Sequence, residues 1–133
     1  MKLLKSTLVL IALHVGTAAV LAQKQQSVSV RIGKEAVVKS SGGLKIRFLE
    51  VTEDSRCPEG TNCIWAGVAR VKVQLRRNGK TSIFELNTSQ ADKAAVFEGH
   101  QIIPAGLTPH PRGDTVLQKS SYTAKFTVSK PSK

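Results

Sequence analysis

The dipeptide Asn78-Gly79 constrains the fold more than any other feature of this 133-residue chain, because it lies between two runs of alternating apolar and polar residues. Asn-Gly is the preferred two-residue hairpin turn, since both central positions need a positive φ that Asn tolerates and Gly adopts freely. The turn sets the pairing of the two runs, and a slip of one residue would turn every side chain to the opposite face. The predicted pairs are Arg77 with Lys80, Leu75 with Ser82, Val73 with Phe84, Val71 with Leu86, and Lys72 with Glu85.

Alternation of period two recurs along the chain, whereas no stretch after the N-terminal region keeps a helical period. The apolar phase changes at Phe48-Leu49, which predicts a β-bulge. Pro104 is expected to end its strand or to place it at a sheet edge. Segment 90–95 is compatible with a single helical turn. Further strands are predicted at 28–32, 35–39, 44–52, 100–103 and 122–128.

Turn-forming clusters separate these runs at 40–43, 87–93 and 108–114. About six to eight short strands with regular turn signals predict an all-β fold, an antiparallel β-sandwich of immunoglobulin-like kind or a small barrel. Of the two, the sandwich is favoured. Its predicted core consists of Val28, Val30, Ile46, Phe48, Val71, Val73, Phe84, Leu86, Tyr122, Phe126 and Val128.

The N-terminal region has the pattern of a secretory signal. Lys2 and Lys5 precede an apolar run at 8–21, and Val20-Leu21-Ala22 fits the small-residue cleavage pattern. The run is shorter than the roughly 20 residues of a membrane span. We therefore expect residues 1–22 to be a cleaved signal peptide and residues 23–133 to form a single exported domain without a transmembrane segment. The alternative is an N-terminal helix that remains as an anchor.

The charge of the predicted mature chain is strongly positive, with 18 Lys and Arg against 9 Asp and Glu, a net charge of +9. Such a balance favours anionic partners, although the cations are spread along the chain as they are on an ordinary solvated surface. Arg70, Lys72 and Arg76 are predicted to share the outward side of one strand, here called the basic stripe. Aromatic residues make up only 5% of the chain, which argues against sequence-specific nucleic-acid binding through base stacking.

Both cysteines of the chain lie in the segment EDSRCPEGTNCIWAG, residues 53–67. In an exported protein, two cysteines separated by five residues most simply form a disulfide, here between Cys57 and Cys63. A zinc site would need about four ligands, and His100 and His110 are too widely spaced for a zinc finger. A redox pair would have two residues between its cysteines. A catalytic thiol would need a free cysteine beside a histidine.

Two residues beside the cysteines are candidates for binding. Trp65 is predicted to pack over the tied loop as a core or semi-core plug, and the alternative is an anchor that faces a partner. Arg56 is predicted to pair with Asp54 or Glu53, and the alternative is a partner's carboxylate. The candidate binding residues are therefore Arg56, Trp65, Arg70, Lys72 and Arg76.

The sequence contains none of the common catalytic motifs: no G-x-S-x-G, no H-E-x-x-H, no P-loop and no dinucleotide-binding fingerprint. No catalytic residue, metal ion or cofactor is therefore predicted. A pair of carboxylates of the glycosidase type remains an alternative, since Glu50, Glu53, Asp54 and Glu59 lie close together in the chain. The tripeptide at 112–114, Arg-Gly-Asp, is interpreted as a turn rather than an adhesion motif.

The segment at 53–67 resembles a family of small exported bacterial proteins of unassigned function. In that family an acidic-Asp-Ser-Arg-Cys-Pro motif is followed by Cys-hydrophobic-Trp-Ala-Gly, as in residues 53–58 and 63–67 here. The resemblance continues more weakly through SGGLKIRFLEV, LTPHP and YTAKFTV. It implies export, a bacterial source, a β-rich fold and a disulfide, and it brings no activity or substrate.

These observations predict a secreted or periplasmic, non-enzymatic binding or structural module, most simply a monomer. Its partner is expected to be a protein or an anionic polymer of the cell envelope. One alternative is a secreted hydrolase inhibitor that presents the loop from Cys57 to Cys63, and another is an enzyme with unrecognised carboxylate chemistry.

Overall fold

Strands dominate the part of the chain that the structure describes, which is residues 24–90 and 93–131 of a computed structural model. The predicted signal peptide lies outside the described residues. Within them, no helix is long and apolar enough to cross a membrane. Two short 3₁₀ turns accompany the strands, at Lys39–Ser41 and Lys119–Ser121. The strands are β1 (Gln26–Arg31), β2 (Glu35–Val38), β3 (Leu44–Asp54), β4 (Ala69–Arg77), β5 (Lys80–Asn87), β6 (Ala95–Phe97), β7 (His100–Thr108) and β8 (Thr123–Ser129).

The strands form two antiparallel sheets of four. One sheet has the order β2-β3-β4-β5, in which each strand pairs with the next along the chain, and we call it the meander sheet. The other has the order β1-β8-β7-β6 and contains both the first and the last strand, so we call it the terminal sheet. Two separate sheets confirm the predicted sandwich rather than a closed barrel.

The predicted hairpin register is confirmed residue by residue. Arg77 pairs with Lys80, and the register continues to Val71 opposite Leu86. Asn78 and Gly79 have φ values of 52° and 73°, as the two-residue turn requires. The apolar residues of β4 therefore all point toward the core, and its polar residues point toward solvent.

The predicted bulge in β3 is also confirmed. The pairing of β3 with β4 shifts between Phe48 and Glu50, where Leu49 is the extra residue. A second shift follows between Val51 and Glu53. The bulge explains why the apolar phase of the sequence changes within one continuous strand.

The prediction that Pro104 ends its strand is wrong, because β7 continues as far as Thr108. Pro104 is buried and lies opposite Phe126 of β8, directly before a register shift. On its other side β6 pairs with β7 only as far as Ile102, so β7 has a single neighbouring strand at Pro104. The alternative that Pro104 occupies an edge position is therefore confirmed.

Strand β6 was not predicted, because three residues are too few to show alternation. The single helical turn proposed at 90–95 includes two residues outside the described part, and its last residue, Ala95, begins β6. Phe97 of β6 packs edge-on against Phe84 of β5, with ring centroids 6.2 Å apart, and so joins the two sheets.

The core lies between the sheets and draws its apolar side chains from both. Most of the predicted core residues are fully buried, whereas Val28 and Phe84 are partly buried at its margin. The buried apolar residues are Val30, Val38, Leu44, Ile46, Phe48, Ala69, Val71, Val73, Leu75, Leu86, Ala95, Phe97, Ile102, Leu107, Tyr122, Ala124, Phe126 and Val128.

Candidate binding surface at the clipped loop

Both cysteines lie in the connection between β3 and β4, residues 55–68, here called the clip loop. Cys57 and Cys63 form the predicted disulfide, with their Cα atoms 5.8 Å apart. The loop is also closed at its base, where the backbone N–H of Ser55 donates to the carbonyl oxygen of Val68 at 2.8 Å. In return the N–H of Val68 donates to Oγ of Ser55 at 3.1 Å. The clip loop is therefore tied twice, once covalently and once by reciprocal hydrogen bonds.

A second loop, residues 109–118, lies beside the clip loop and is called the flanking loop. The N–H of Glu59 donates to the carbonyl oxygen of Pro111 at 2.8 Å, which joins the two backbones. Nε2 of His110 lies 2.8 Å from the carbonyl oxygen of Cys57, so a proton on Nε2 completes a hydrogen bond there. His110 is thus engaged in holding the loops together.

Arg56 connects the two loops to the sandwich beneath them. Its guanidinium donates to both carboxylate oxygens of Asp54, at 2.7 and 2.8 Å. It also donates to the carbonyl oxygens of Leu107 at 2.6 Å and Pro109 at 2.9 Å. Tyr122 donates its hydroxyl proton to Asp54 at 2.7 Å. We call Arg56, Asp54 and Tyr122 the Arg56 anchor, and it confirms the predicted structural pairing of Arg56.

The protonation states of the Arg56 anchor are set by these contacts. Burial alone would raise the pKa of the Asp54 carboxyl, but hydrogen bonds from Arg56 and Tyr122 outweigh it and lower the pKa. Burial raises the pKa of Tyr122 to about 12, assisted by its hydrogen bond to Asp54 and the charge of that carboxylate. Asp54 therefore stays ionised and Tyr122 stays protonated around neutral pH, which suits a structural network better than proton transfer.

The prediction that Trp65 plugs the core is wrong. Its side chain is 79% exposed, and that of its neighbour Ile64 is 93% exposed. The position beneath the clip loop is occupied by Arg56, whose guanidinium reaches the carbonyls at the end of β7. The exposure of Trp65 agrees with the alternative, an anchor that faces a partner, but the partner itself stays a prediction.

The flanking loop adds a third exposed apolar side chain, Val116, which is 92% exposed. We call Ile64 and Trp65, which are neighbours in the clip loop, the clip surface. Comparisons of the chain with protein-family models, curated proteins and solved structures found no match. What the clip surface can bind is therefore inferred from its residues, and two adjacent, solvent-exposed apolar side chains can pack against an apolar surface of a partner.

The basic stripe faces outward as predicted, but each of its cations contacts a glutamate. Arg70 pairs with Glu53 at 3.0 Å, Lys72 with Glu50 at 2.6 Å and Arg76 with Glu35 at 3.1 Å. Lys72 lies opposite Glu85 in the register, yet its ammonium group contacts Glu50 of the neighbouring strand instead. The positive charge of the stripe is thus largely neutralised within its own sheet.

Three of the four acidic residues considered for an alternative catalytic pair take part in these ion pairs, and Glu59 does not. Glu50, Glu53 and Asp54 each engage a different cation, namely Lys72, Arg70 and Arg56. Within residues 24–90 and 93–131, no three His, Cys, Asp or Glu side chains are grouped so as to hold a metal ion. The clip surface is therefore the candidate site that the described residues support best.

Proposed function

We propose that this protein is an exported, non-catalytic binding module that docks a protein partner through the clip surface. The observation that carries the proposal is the exposure of Ile64 and Trp65 beside a covalently closed loop. Tryptophan is enriched among the residues that dominate protein interfaces, because its large surface releases much water when it is covered. A fold that leaves its only tryptophan in solvent retains that surface for a partner.

The contacts that hold the clip loop favour binding, because they leave little of its backbone to be ordered when a partner associates. The disulfide, the reciprocal Ser55–Val68 hydrogen bonds and the Arg56 anchor hold the clip loop before any partner arrives. Rigid loops lose less conformational entropy on binding, so more of the contact free energy remains as affinity.

A secreted hydrolase inhibitor is the second candidate. It is favoured by one observation: the eight consecutive residues 59–66 are all exposed, and they include one end of the disulfide. An exposed, tied loop is the shape that an open active-site cleft accepts. Titration against a panel of proteases tests this form of the proposal, and the absence of dose-dependent inhibition would exclude it.

Capture from the native cell envelope tests the docking proposal. The protein is exported with its own N-terminal sequence, crosslinked in place and recovered as wild type, Trp65→Ala and Ile83→Ala. Ile83 is the matched control, since it is 58% exposed on the outer face of the meander sheet. We expect one partner to be recovered with wild type and Ile83→Ala and to be lost with Trp65→Ala.

The same variants give a quantitative readout once the partner is purified. Truncation of an interface tryptophan typically costs about 2 kcal/mol or more, which corresponds to a loss of roughly 30-fold in affinity. Fluorescence of Trp65 should shift to the blue on binding, because the indole leaves water. Equal affinity of wild type and Trp65→Ala would exclude the clip surface as the site.

A further inference from the structure

A cavity lined by cations lies at the end of the meander sheet opposite the clip loop. The clip loop adjoins the end of β3, whereas this site adjoins its start, and a strand of 11 residues spans roughly 33 Å. An open cavity of about 260 Å³ is present there, and none of the described residues that line it is acidic. The lining residues are Gly43, Lys45, Arg76, Arg77, Asn78 and Gly79.

Among the described residues, the cations around this cavity outnumber the carboxylates that pair with them. Lys45 lies directly opposite Arg76 in the register, an arrangement of like charges that destabilises a sheet. The carboxylate of Glu35 forms an ion pair with Arg76 at 3.1 Å and so offsets one of these charges. The ion pairs of the described residues include neither Lys45 nor Arg77. Counted over the part of the chain that the structure describes, three cations share one carboxylate, which leaves a local charge of about +2.

The guanidinium of Arg77 is held in place before any ligand binds. Nε donates to the carbonyl oxygen of Ser41 at 2.9 Å, and Nη1 donates to the carbonyl oxygen of Glu98 at 3.2 Å. The carboxylate of Glu98 instead pairs with Lys80 at 3.2 Å. Nη2 of Arg77 takes part in no hydrogen bond of the described residues, so it retains donors for a ligand.

The glycine at the adjoining turn permits this arrangement. A Cβ atom at Gly42 would lie 2.8 Å from Nη2 of Arg77, and Gly42 has a φ of 61°. A larger residue there would displace the guanidinium or strain the turn. The position of Arg77 at the cavity thus depends on a residue without a side chain.

We propose that this cavity binds a phosphate group, either free phosphate or a phosphate ester. A phosphate carries a charge close to the −2 that would neutralise the cluster, and its oxygens can accept hydrogen bonds from Nη2 of Arg77, which the two backbone carbonyls leave free. Lys45 supplies a point charge, and Arg77 supplies oriented N–H donors. The cations of the basic stripe, which the sequence offered only as candidate binding residues, are all paired with glutamates, whereas two cations of this cluster form no ion pair within the described residues.

Titration with inorganic phosphate at low, constant ionic strength, followed by calorimetry and amide chemical shifts, tests the proposal. The variants are Lys45→Gln and Arg77→Lys, with Lys125→Gln as the control, because Lys125 is exposed on the terminal sheet. A hydrogen bond to a charged group is worth enough that either cavity variant should lose about tenfold or more in affinity. Lys125→Gln should stay within about twofold of wild type.

A parallel titration with glycerol phosphate distinguishes the two sources. Preference for the ester assigns the site to an esterified phosphate, and equal or weaker binding of the ester assigns it to free phosphate. Lys45→Gln keeps the test decisive if Arg77→Lys disturbs the fold, since Lys45 makes no ion pair within the described residues. Shift changes that avoid Lys45 and Arg77, or unchanged affinity in Lys45→Gln, would overturn the proposal. Trp65→Ala should bind phosphate normally, so failure of one proposal leaves the other intact.

Discussion

Arg56 and Asp54 meet edge to edge at the base of the clip loop, joined by hydrogen bonds of 2.7 and 2.8 Å. Both side chains are only 10% exposed. The same guanidinium holds the carbonyls of Leu107 and Pro109, which lie more than 50 residues away in the chain. One side chain thus links both loops and the end of β7.

Replacement of Arg56 by alanine should destabilise the protein by about 3 kcal/mol, because it leaves the largely buried Asp54 carboxylate without its cation. Arg70→Ala is the matched control. It breaks an arginine–carboxylate pair whose side chains are 46% and 44% exposed, and it should cost about 1 kcal/mol or less. Urea unfolding followed by circular dichroism measures both. Similar small losses in the two variants would show that the Arg56 anchor contributes little.

Tyr122 is the only tyrosine of the chain, so its ionisation can be followed directly by ultraviolet absorbance. We expect a pKa of about 12, against an ordinary value of 10.0, because of burial and of the hydrogen bond to Asp54. Asp54→Asn should move the pKa part of the way back, since burial remains. A pKa near 10.0 in the folded wild-type protein would contradict the contact.

The same shift predicts how stability depends on pH in the alkaline range. The folded state binds the Tyr122 proton more tightly than the unfolded state does. The resulting contribution of Tyr122 to the free energy of unfolding is therefore fully present below pH 10.0. It is lost as the pH rises through about 12. The free energy of unfolding of wild type should therefore fall more steeply over this range than that of Tyr122→Phe. Parallel curves would exclude the linkage.

Gly67→Ala should be far more damaging than Gly60→Ala, although both glycines lie in the clip loop with positive φ, 70° and 81°. At Gly67 a Cβ would lie 1.8 Å from the carbonyl oxygen of Ser55, whereas at Gly60 no atom of the described residues lies within 4 Å of the added Cβ. Both variants should lose about 1–2 kcal/mol of stability, because alanine is strained in the left-handed region. Gly67→Ala should lose about 2 kcal/mol more through overlap, as measured by thermal and urea unfolding. Equal losses of stability in the two variants would contradict the close approach of Gly67 to the carbonyl oxygen of Ser55.

Protein recovered after export should contain no titratable thiol, since both cysteines are joined. Replacing both by serine should cost about 2.4 kcal/mol, the loop-closure value for a closed loop of seven residues. The sheets should persist, because the core draws on neither cysteine. Thiol titration and circular dichroism check these outcomes, and two reactive thiols in folded material would refute the pairing.

The hairpin, the bulge and the disulfide were predictable because each is encoded locally. Asn78-Gly79 sets the register of its two flanking strands, and the phase change at Phe48-Leu49 marks an extra residue within one strand. The prediction that Pro104 ends its strand was wrong because a proline is tolerated where no strand pairs on one side. How far the neighbouring β6 extends is a property of the assembled sheet.

Sequence alone determined where apolar and polar residues alternate, where the chain turns and which two cysteines can form a disulfide. These features depend on residues that are neighbours in the chain. Tertiary structure decided which side chains meet across distant segments. It set Arg56 beneath the clip loop and left Trp65 in solvent. It paired the basic stripe with glutamates of adjacent strands and brought Lys45 beside Arg77. Burial and charge compensation are properties of three-dimensional neighbours, and no local pattern specifies those.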